Sequence, residues 1–426
     1  MGVLLVGSGA REHILAEMLK KSGAHVYSFG ARNPGIEAFA QETCVGKLTD
    51  TAAILSFAVQ KKIDFAVIGS EMPLAAGVVD VLASNGIPSV GPGKALAQIE
   101  ASKSFTRQLL EKHDIDASPR FMVFTSLHGV KEFMQLLNGN YVVKADGLRS
   151  GKGVKVSGEH LKTIDEGAEY CAECLKEDGK VVVEEKLVGQ EFSLMFFADG
   201  KNVVKMPAVQ DHKRAHEDDT GPNTGGMGTY SDADHMLPFL SSKDITDAER
   251  LTRCVVDALS EIGEYKGILY GGFMATADGV KLIEYNARFG DPEVLNVLSL
   301  LKTDFVKVCQ DIICGRLRDV SFERKATVCK YVVPQGYPDN PVQGKIVVPK
   351  GNYYYAAVED SAEGMMMTGS RAVACVGVAD SIADAEQQAE QLAQQVQGNV
   401  FHRRDIGTAA LIQKRVEHMK RLRGEK

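Results

Sequence analysis

The alternation of apolar runs with amphipathic segments from Met1 to Val90 constrains the fold of this chain most strongly. Each apolar run is short enough for a strand, and the segments between them carry apolar residues at helical spacing. Strands that alternate with helices indicate a parallel sheet with right-handed crossovers. The predicted strands are Val3–Val6, Ala24–Phe29, Asp64–Ile68 and Ile87–Val90, and the predicted helices include Thr51–Lys61 and Pro73–Ala83.

Beyond Gly93 the pattern becomes richer in strands, so a single parallel sheet cannot describe the whole chain. Asp278-Gly279 separates two apolar runs and predicts a hairpin. Asp291-Pro292 predicts the start of a helix capped by the aspartate. From about Thr327 a last strand-rich segment, with one strand predicted over Tyr353–Val358, closes with a capped helix. We therefore expect breaks between structural units near Gly93 and Thr327.

Composition excludes several classes of protein. The 426 residues carry a net charge of −7, and no basic run is present, which disfavours a general nucleic-acid binder. No apolar stretch approaches the roughly 18 residues of a membrane span. The eight cysteines are scattered, and the pair Cys171 and Cys174 is best read as apolar positions on a helix. The first residues lack the features of a signal peptide, so we expect a cytoplasmic protein.

A glycine loop joins the first predicted strand to the first helix. Gly7 and Gly9 allow backbone N–H groups to approach a phosphate, and Arg11 adds a cation. Glu12 stands where a dinucleotide fingerprint has its third glycine, which argues against NAD. The loop predicts a site for a single phosphate, and a tight turn without a ligand is the alternative.

A second glycine-rich loop joins two predicted strands. It runs from Lys144 to Val154, with glycines at 147, 151 and 153 and a lysine, Lys152, at its tip. The spacing is not that of a Walker A motif, because a strand follows it in place of a helix. We interpret the loop as a flap whose lysines reach the phosphates of a nucleotide, the alternative being a solvated hairpin.

The strand after this flap predicts contacts with the rest of a nucleotide. The apolar run Val181–Val183 enters Glu184 and Glu185, and Glu191 follows a short turn. Backbone groups near Leu187 are suited to the adenine edge, and a carboxylate is suited to ribose hydroxyls. On its own, this segment is more typical of a charged surface strand.

Two further segments carry polar side chains at informative spacing. Residues 211–228 are predicted to form a long polar loop dense in glycine, and such loops are usually functional. Glu284, Asn286 and Arg288 alternate along a strand, so their side chains are expected on one face. The carboxylate and the amide oxygen predict a Mg²⁺ site, and the guanidinium predicts a partner for a phosphoryl group. The alternative is an exposed strand of alternating charge.

These motifs together resemble the phosphoribosylamine–glycine ligase family of the ATP-grasp superfamily. The segments that carry the resemblance are Gly9–His13, Gly69–Leu74, Ser102–Thr106, Lys144–Gly147, Gln210–Arg214, Asp219–Gly228 and Asn286–Glu293. The resemblance extends from the N-terminus to Gly407. It implies an α/β fold with a Rossmann-like parallel-sheet domain at 1–101, a two-subdomain ATP-grasp core of α+β type at 102–326 and a small α/β domain at 327–426. The smaller lid subdomain is expected at about 122–190.

The family implies an ATP-dependent ligase of de novo purine biosynthesis. ATP would phosphorylate glycine, and 5-phosphoribosylamine would attack the glycyl phosphate to give glycinamide ribonucleotide, ADP and phosphate, with Mg²⁺ or Mn²⁺. Catalytic roles fall to Arg288, Lys152 and Asp211. The residues implied for ATP are Lys103, Lys144, Gly151, Lys152, Gly153, Glu184, Glu185, Leu187 and Glu191, and those implied for metal are Glu284 and Asn286. The residues implied for the substrates are Gly9, Arg11, Glu12, Glu71, Asp211, Asn223, Thr224, Gly225, Gly226 and Arg288.

The partners implied are small molecules only, without nucleic acid or membrane, and we expect a monomer. The alternative within enzymes is another ATP-grasp carboxylate–amine ligase, or a carboxylating purine enzyme that takes bicarbonate. A nucleotide sensor without catalysis and a nicotinamide dehydrogenase are further alternatives. Glu284, Asn286 and Arg288 disfavour the sensor, and Glu12 disfavours the dehydrogenase.

Overall fold

The computed structural model describes residues 1–149 and 153–425. Its N-terminal part is a parallel sheet, as predicted, and the strands lie in the order Ala40–Val45, His25–Gly30, Gly2–Val6, Phe65–Ile68 and Ser89–Val90. The helices of this part are Ala10–Lys21, Pro34–Glu37, Thr51–Gln60, Glu71–Ala76 and Val78–Ser84. The strand Ala40–Val45 was not predicted, because its half-exposed residues form no apolar run.

An antiparallel sheet forms the centre of the chain. Its strands lie in the order Val203–Lys205, Gln190–Asp199, Lys266–Thr276 and Gly279–Asn286. The last two strands are the predicted hairpin around Asp278. The helices next to this sheet in the chain are Gln98–Ala101, Lys103–Lys112, Ser242–Leu259, Glu293–Ser299 and Phe305–Ile313.

A smaller antiparallel sheet has its own hydrophobic core. Its strands lie in the order Phe121–Phe124, Val181–Glu185, Tyr141–Ala145 and Val154–Val156, and its helices are Val130–Leu136 and Ile164–Asp178. Cys171 and Cys174 are buried in this core, as the apolar interpretation predicted. The second helix begins at Ile164, because the Thr163 side chain accepts a hydrogen bond from the Glu166 N–H and caps it.

The C-terminal part contains two antiparallel sheets. The larger has the order Gln210–Asp211, Gly228–Ser231, Ala326–Pro334, Val373–Ala379 and Tyr353–Tyr355, with Val400–Phe401 paired to Ala326–Pro334. The smaller has the order Val358–Ser361, Gly364–Met367, Gly344–Val347 and Gln397–Gly398. The helices are Ile382–Gln395 and Ala409–Arg423. Two of the strands come from the middle of the chain, so this sheet joins the C-terminal segment to the polar segment 210–231.

Two details differ from prediction. The strand predicted over Tyr353–Val358 is two strands, interrupted where Asn33 donates hydrogen bonds to the carbonyl oxygens of Tyr355 and Ala356. The helix start predicted at Asp291-Pro292 was also wrong, because the helix begins at Glu293 and Pro292 is its cap after a cis peptide bond.

Across residues 1–149 and 153–425, none of the helices combines the length and the apolar character that crossing a membrane requires.

Candidate active site

The segment Glu284–Arg288 lies at the end of an edge strand of the central sheet. The strand ends at Asn286, and Arg288 follows two residues later. The Arg288 Nη2 donates to the Asn286 Oδ1 over 3.1 Å, and the Lys103 Nζ lies 2.7 Å from the Glu284 Oε2. The predicted carboxylate, amide and guanidinium therefore occupy one end of the central sheet, together with a lysine from the helix Lys103–Lys112.

Glu284 is held in its ionised form. Burial alone would raise the pKa of its carboxyl group, but the ammonium groups of Lys103 and Lys213 hold it well below the ordinary value. An ionised carboxylate beside an amide oxygen is a hard donor set, which suits Mg²⁺ that is shared with nucleotide phosphates. Across the described ranges, no group of three or more His, Cys, Asp or Glu side chains is arranged for a metal. A metal at Glu284 and Asn286 would take its remaining ligands from water or from a bound substrate.

Two carboxylates orient Arg288. Its Nη2 lies 2.8 Å from the Glu100 Oε1, and its Nε lies 3.4 Å from the Glu71 Oε2. Glu100 is buried and also accepts a hydrogen bond from the Ala287 N–H over 2.8 Å. Glu71 was a predicted site residue, whereas Glu100 was not. Glu100 follows Gln98 and Ile99 on a short helix, and no local pattern marks it as a partner of Arg288.

The side chain of Glu184 is paired with two buried cations. Its oxygens accept hydrogen bonds from the Arg107 Nε and Nη2 over 2.6 and 3.0 Å, and its Oε2 lies 2.6 Å from the Lys144 Nζ. All three side chains are buried. The Glu184 carboxylate is therefore paired within the protein, and its predicted part in nucleotide binding stays a prediction. The same carboxylate holds Lys144, whose Nζ also donates to the Ile283 carbonyl oxygen over 2.9 Å.

Two other carboxylates predicted for the nucleotide lie beside cations of the protein. Glu185 is half exposed beside Arg120, and the Glu191 Oε2 lies 3.4 Å from the Lys213 Nζ. Glu191 raises the pKa of Lys213, a residue to which the sequence assigned no role. Leu187 lies just beyond the strand that ends at Glu185.

The flap itself is described only in part. Its two strands, Tyr141–Ala145 and Val154–Val156, pair as predicted, and the Ala145 N–H donates to the Gly153 carbonyl oxygen over 2.8 Å. A Cβ at Gly153 would lie 3.2 Å from the Ala145 Cβ, so the hairpin closes tightly there. Gly151 and Lys152 lie outside the described residues.

The segment 211–228 was predicted to be a polar loop. It contains residues of four short strands. Gln210–Asp211 pairs with Gly228–Ser231, and Arg214–His216 pairs with Thr220–Asn223 around the 3₁₀ turn Glu217–Asp219. Strands this short, built mostly from polar residues and glycine, show no apolar alternation that sequence reasoning could detect.

Asp211 and Gly226, from opposite ends of this segment, lie next to each other in the structure. A Cβ at Gly226 would lie 2.8 Å from the Asp211 Oδ1, which is buried and has no hydrogen-bond partner within the described part of the chain. Burial and the nearby Glu293 raise the pKa of Asp211. Glu293, which was not predicted, is itself buried and accepts hydrogen bonds from the Tyr270 hydroxyl and the Ser193 Oγ over 2.9 and 3.1 Å. A cationic ligand would supply the partner that Asp211 lacks.

The first glycine loop ends beside Arg288 and is closed by its own chain. The Gly9 N–H donates to the Glu12 carboxylate over 2.6 Å, and the Arg11 Nε lies 2.7 Å from the same group. The Arg11 Nη1 also donates to the Phe289 carbonyl oxygen over 3.1 Å. The donors expected to bind a phosphate here are therefore already paired with Glu12 and with the 288–290 turn.

Known protein families account for this arrangement. Models of phosphoribosylglycinamide synthetase match the chain with the N domain over 1–100, the ATP-grasp (A) domain over 101–294 and the C domain over 327–409. The chain belongs to the phosphoribosylglycinamide synthetase family. The phosphoribosylamine–glycine ligase of Methanocella arvoryzae is 49% identical to it over 435 residues, which cover 100% of both chains. That of Thermococcus kodakarensis is 44% identical over 434 residues with the same coverage. The resemblance inferred from the sequence motifs is confirmed.

Solved structures agree with membership of the phosphoribosylglycinamide synthetase family. The crystal structure of phosphoribosylamine–glycine ligase from Thermotoga maritima has a TM-score of 0.84 at 29% identity and covers 95% of this chain and 100% of that one. Biotin carboxylase from Campylobacter jejuni has a TM-score of 0.76 at 15% identity over 99% of this chain and 98% of that one, which shows a shared fold alone. The predicted fold class is confirmed, with its N-terminal parallel sheet, ATP-grasp core and C-terminal domain.

Proposed function

We propose that this chain is an ATP-dependent ligase that joins glycine to 5-phosphoribosylamine in de novo purine biosynthesis. One observation carries the proposal: ionised Glu284, Asn286, Arg288 and Lys103 meet at one end of the central sheet, in a chain whose full-length relatives are named phosphoribosylamine–glycine ligase. Phosphoryl transfer asks a protein mainly for positioning and for neutralisation of charge, and these groups provide both.

The reaction has two steps. A carboxylate oxygen of glycine attacks the γ-phosphorus of ATP, so that ADP leaves and glycyl phosphate forms. The amine of 5-phosphoribosylamine then attacks the glycyl carbonyl carbon, phosphate leaves, and the amine loses a proton to give glycinamide ribonucleotide. Phosphorylation is needed first, because the charge of a free carboxylate repels nucleophiles.

We assign nucleotide and metal binding to the face between the flap and the central sheet. Lys103 and Lys144 would contact the phosphates, as would Lys152 at the flap tip between Gly151 and Gly153. Glu185, Leu187 and Glu191 would hold the adenosine, with Glu184 positioning Lys144. Glu284 and Asn286 would hold Mg²⁺ or Mn²⁺, which neutralises the charge of the phosphates when bound.

We assign the other two substrates to the opposite side of Arg288. The buried Oδ1 of Asp211, which lacks a partner within the described residues, suits the glycine ammonium, and Arg288 suits its carboxylate. Phosphoribosylamine would lie against Asn223, Thr224, Gly225 and Gly226, with Gly9, Arg11, Glu12 and Glu71 shaping the far wall. The pairing of Gly9 and Arg11 with Glu12 makes them a weaker choice for the phosphate than the Asn223–Gly226 backbone.

We further propose the division into a parallel-sheet domain at 1–101, an ATP-grasp core at 102–326 with a lid at about 122–190, and a C-terminal domain at 327–426. A monomer in the cytoplasm completes the proposal. Light scattering on the purified chain tests the monomer, and fractionation of cells that produce it tests the location.

The decisive experiment combines the chain with ATP, Mg²⁺, isotopically labelled glycine and 5-phosphoribosylamine. We expect ADP release that depends on both substrates, and a product whose mass includes the labelled glycine. Release of ADP with bicarbonate but not with glycine would favour a carboxylating enzyme and refute the proposal. Binding of ATP without turnover would instead indicate a nucleotide sensor.

A further inference from the structure

Arg371 belongs to the C-terminal segment and contacts Gly225 and Gly226, two residues assigned above to phosphoribosylamine. Its guanidinium is largely buried, with 14% of the side chain exposed, and it lies 4.3 Å from the centre of the Tyr331 ring. Arg371 lies two residues before the strand Val373–Ala379 of the C-terminal sheet, and the sequence gives no local sign of a role for it.

Arg371 joins two turns that are distant in the chain. Its Nη1 donates to the carbonyl oxygens of Gly225, Gly226 and Asp291 over 2.7, 3.0 and 3.0 Å. Its Nη2 lies 3.3 Å from the Asp291 carboxylate, which also accepts a 2.6 Å hydrogen bond from the Tyr331 hydroxyl. The glycine segment that carries Gly225 and the turn that follows Arg288 are thus tied to the same planar group.

The two glycines permit this approach. A Cβ at Gly225 would lie 3.3 Å from the Arg371 Cζ, and one at Gly226 would lie 3.3 Å from its Nη1. Gly226 also has a φ of +112°, a conformation that side chains disfavour. The Gly226 backbone therefore runs between Arg371 on one side and the buried Asp211 Oδ1 on the other.

We propose that Arg371 is a positioning residue that fixes the Gly225–Gly226 backbone against the Asp291 turn, so that the site for phosphoribosylamine exists only when the C-terminal sheet is docked. This inference rests on the proposed function for the identity of the substrate. The contacts of Arg371 with Gly225, Gly226 and Asp291 do not depend on that function. A lysine cannot replace the arginine, because one ammonium group lacks the planar fork that serves several acceptors and stacks on a tyrosine ring.

The test compares Arg371→Lys with the matched control Arg404→Lys, an exposed arginine from the same C-terminal segment. We expect Arg371→Lys to raise the KM for phosphoribosylamine about tenfold or more, since hydrogen bonds from a charged group are lost. The KM for ATP should stay within about twofold, because the nucleotide is assigned to other elements. Tyr331→Phe, which removes one hydrogen bond to Asp291, should act in the same direction with a smaller change, and it serves as the second variant if Arg371→Lys does not fold.

Hydrogen exchange of the peptide that contains Gly225 and Gly226 gives a readout independent of activity. Faster exchange in Arg371→Lys, together with wild-type exchange in Arg404→Lys, supports the positioning role. If the wild-type chain forms no product, only the proposed function is refuted, because this exchange result does not depend on turnover. An equal rise of all three substrate KM values, or a loss of thermal stability without the KM split, would overturn the inference. Exchange and KM values that match wild type in both Arg371→Lys and Tyr331→Phe would also overturn it.

Discussion

The buried carboxylate of Glu184 offers a sharp test of the electrostatics beneath the flap. Arg107 and Lys144 both lie within hydrogen-bonding distance of it, and only 3% of the Glu184 side chain is exposed. Glu184→Gln keeps the shape of the side chain but removes the anion that the two cations share. We expect the strands Tyr141–Ala145 and Val181–Glu185 to open more readily, because two buried cations then face a neutral amide.

The magnitude follows from the shift in pKa. Burial would raise the pKa of Glu184, but Arg107 and Lys144 lower it from 4.5 to about 2. A difference of about 2.5 in pKa corresponds to about 3 kcal/mol of stability at pH 7. Because the folded-state pKa is the lower one, this stabilisation is fully present above pH 4.5 and is lost as the pH falls through about 2. At pH 3 about 1.4 kcal/mol should remain.

The assay is hydrogen exchange of the two strands, measured by mass spectrometry in wild type and in Glu184→Gln. We expect exchange about 100-fold faster or more in the variant at pH 7, and a smaller difference at pH 3. The neighbouring Glu185→Gln is the control, because its partner Arg120 is exposed and such pairs contribute less than about 1 kcal/mol. If Glu184→Gln behaves like Glu185→Gln, or if its effect does not depend on pH, the reasoning about the buried ion pair is refuted.

Three other predictions concern different parts of the molecule. Glu284→Gln should lower kcat by about 100-fold or more, since metal stabilisation of phosphoryl transfer is worth several kcal/mol; near-normal kcat would contradict the metal assignment. Gly226→Ala should lower kcat/KM for phosphoribosylamine at least about tenfold, since its Cβ would lie 2.8 Å from a buried oxygen. The control Gly279→Ala, with a similar φ but open space, should cost stability alone. Burial lowers the pKa of His13 to about 4, and its Nδ1 accepts a hydrogen bond from the Tyr355 N–H. His13 is therefore neutral in the folded protein, and the free energy of unfolding should fall as the pH drops from 6.5 towards 4, by about 2 kcal/mol at pH 5. Urea unfolding of the wild type should show this loss, and urea unfolding of His13→Asn should not.

Local patterns determined much of the architecture without any structure. Alternating strands and helices predicted the parallel N-terminal sheet, and a turn signal at Asp278 predicted the central hairpin, because both depend on residues close in sequence. The order of the motifs likewise led to the family and to the group of Glu284, Asn286 and Arg288. The helix Ser242–Leu259 was not predicted, although its apolar residues recur at helical spacing, so this omission was not a limit of the sequence.

Contacts between distant segments could be decided only by the tertiary structure. Glu100 lies 188 positions before its partner Arg288, Arg107 lies 77 before Glu184, and Arg371 lies 145 after Gly226. A charged side chain has the same local pattern whether it faces water or a buried partner, so the sequence could not separate exposed charges from these paired ones. For the same reason, the sequence could not show that the carboxylates of Glu12 and Glu184, which were predicted at ligand sites, are paired with other groups of the protein. Which ions meet depends on how sheets from different parts of the chain pack, and periodicity along one strand or helix carries no information about that.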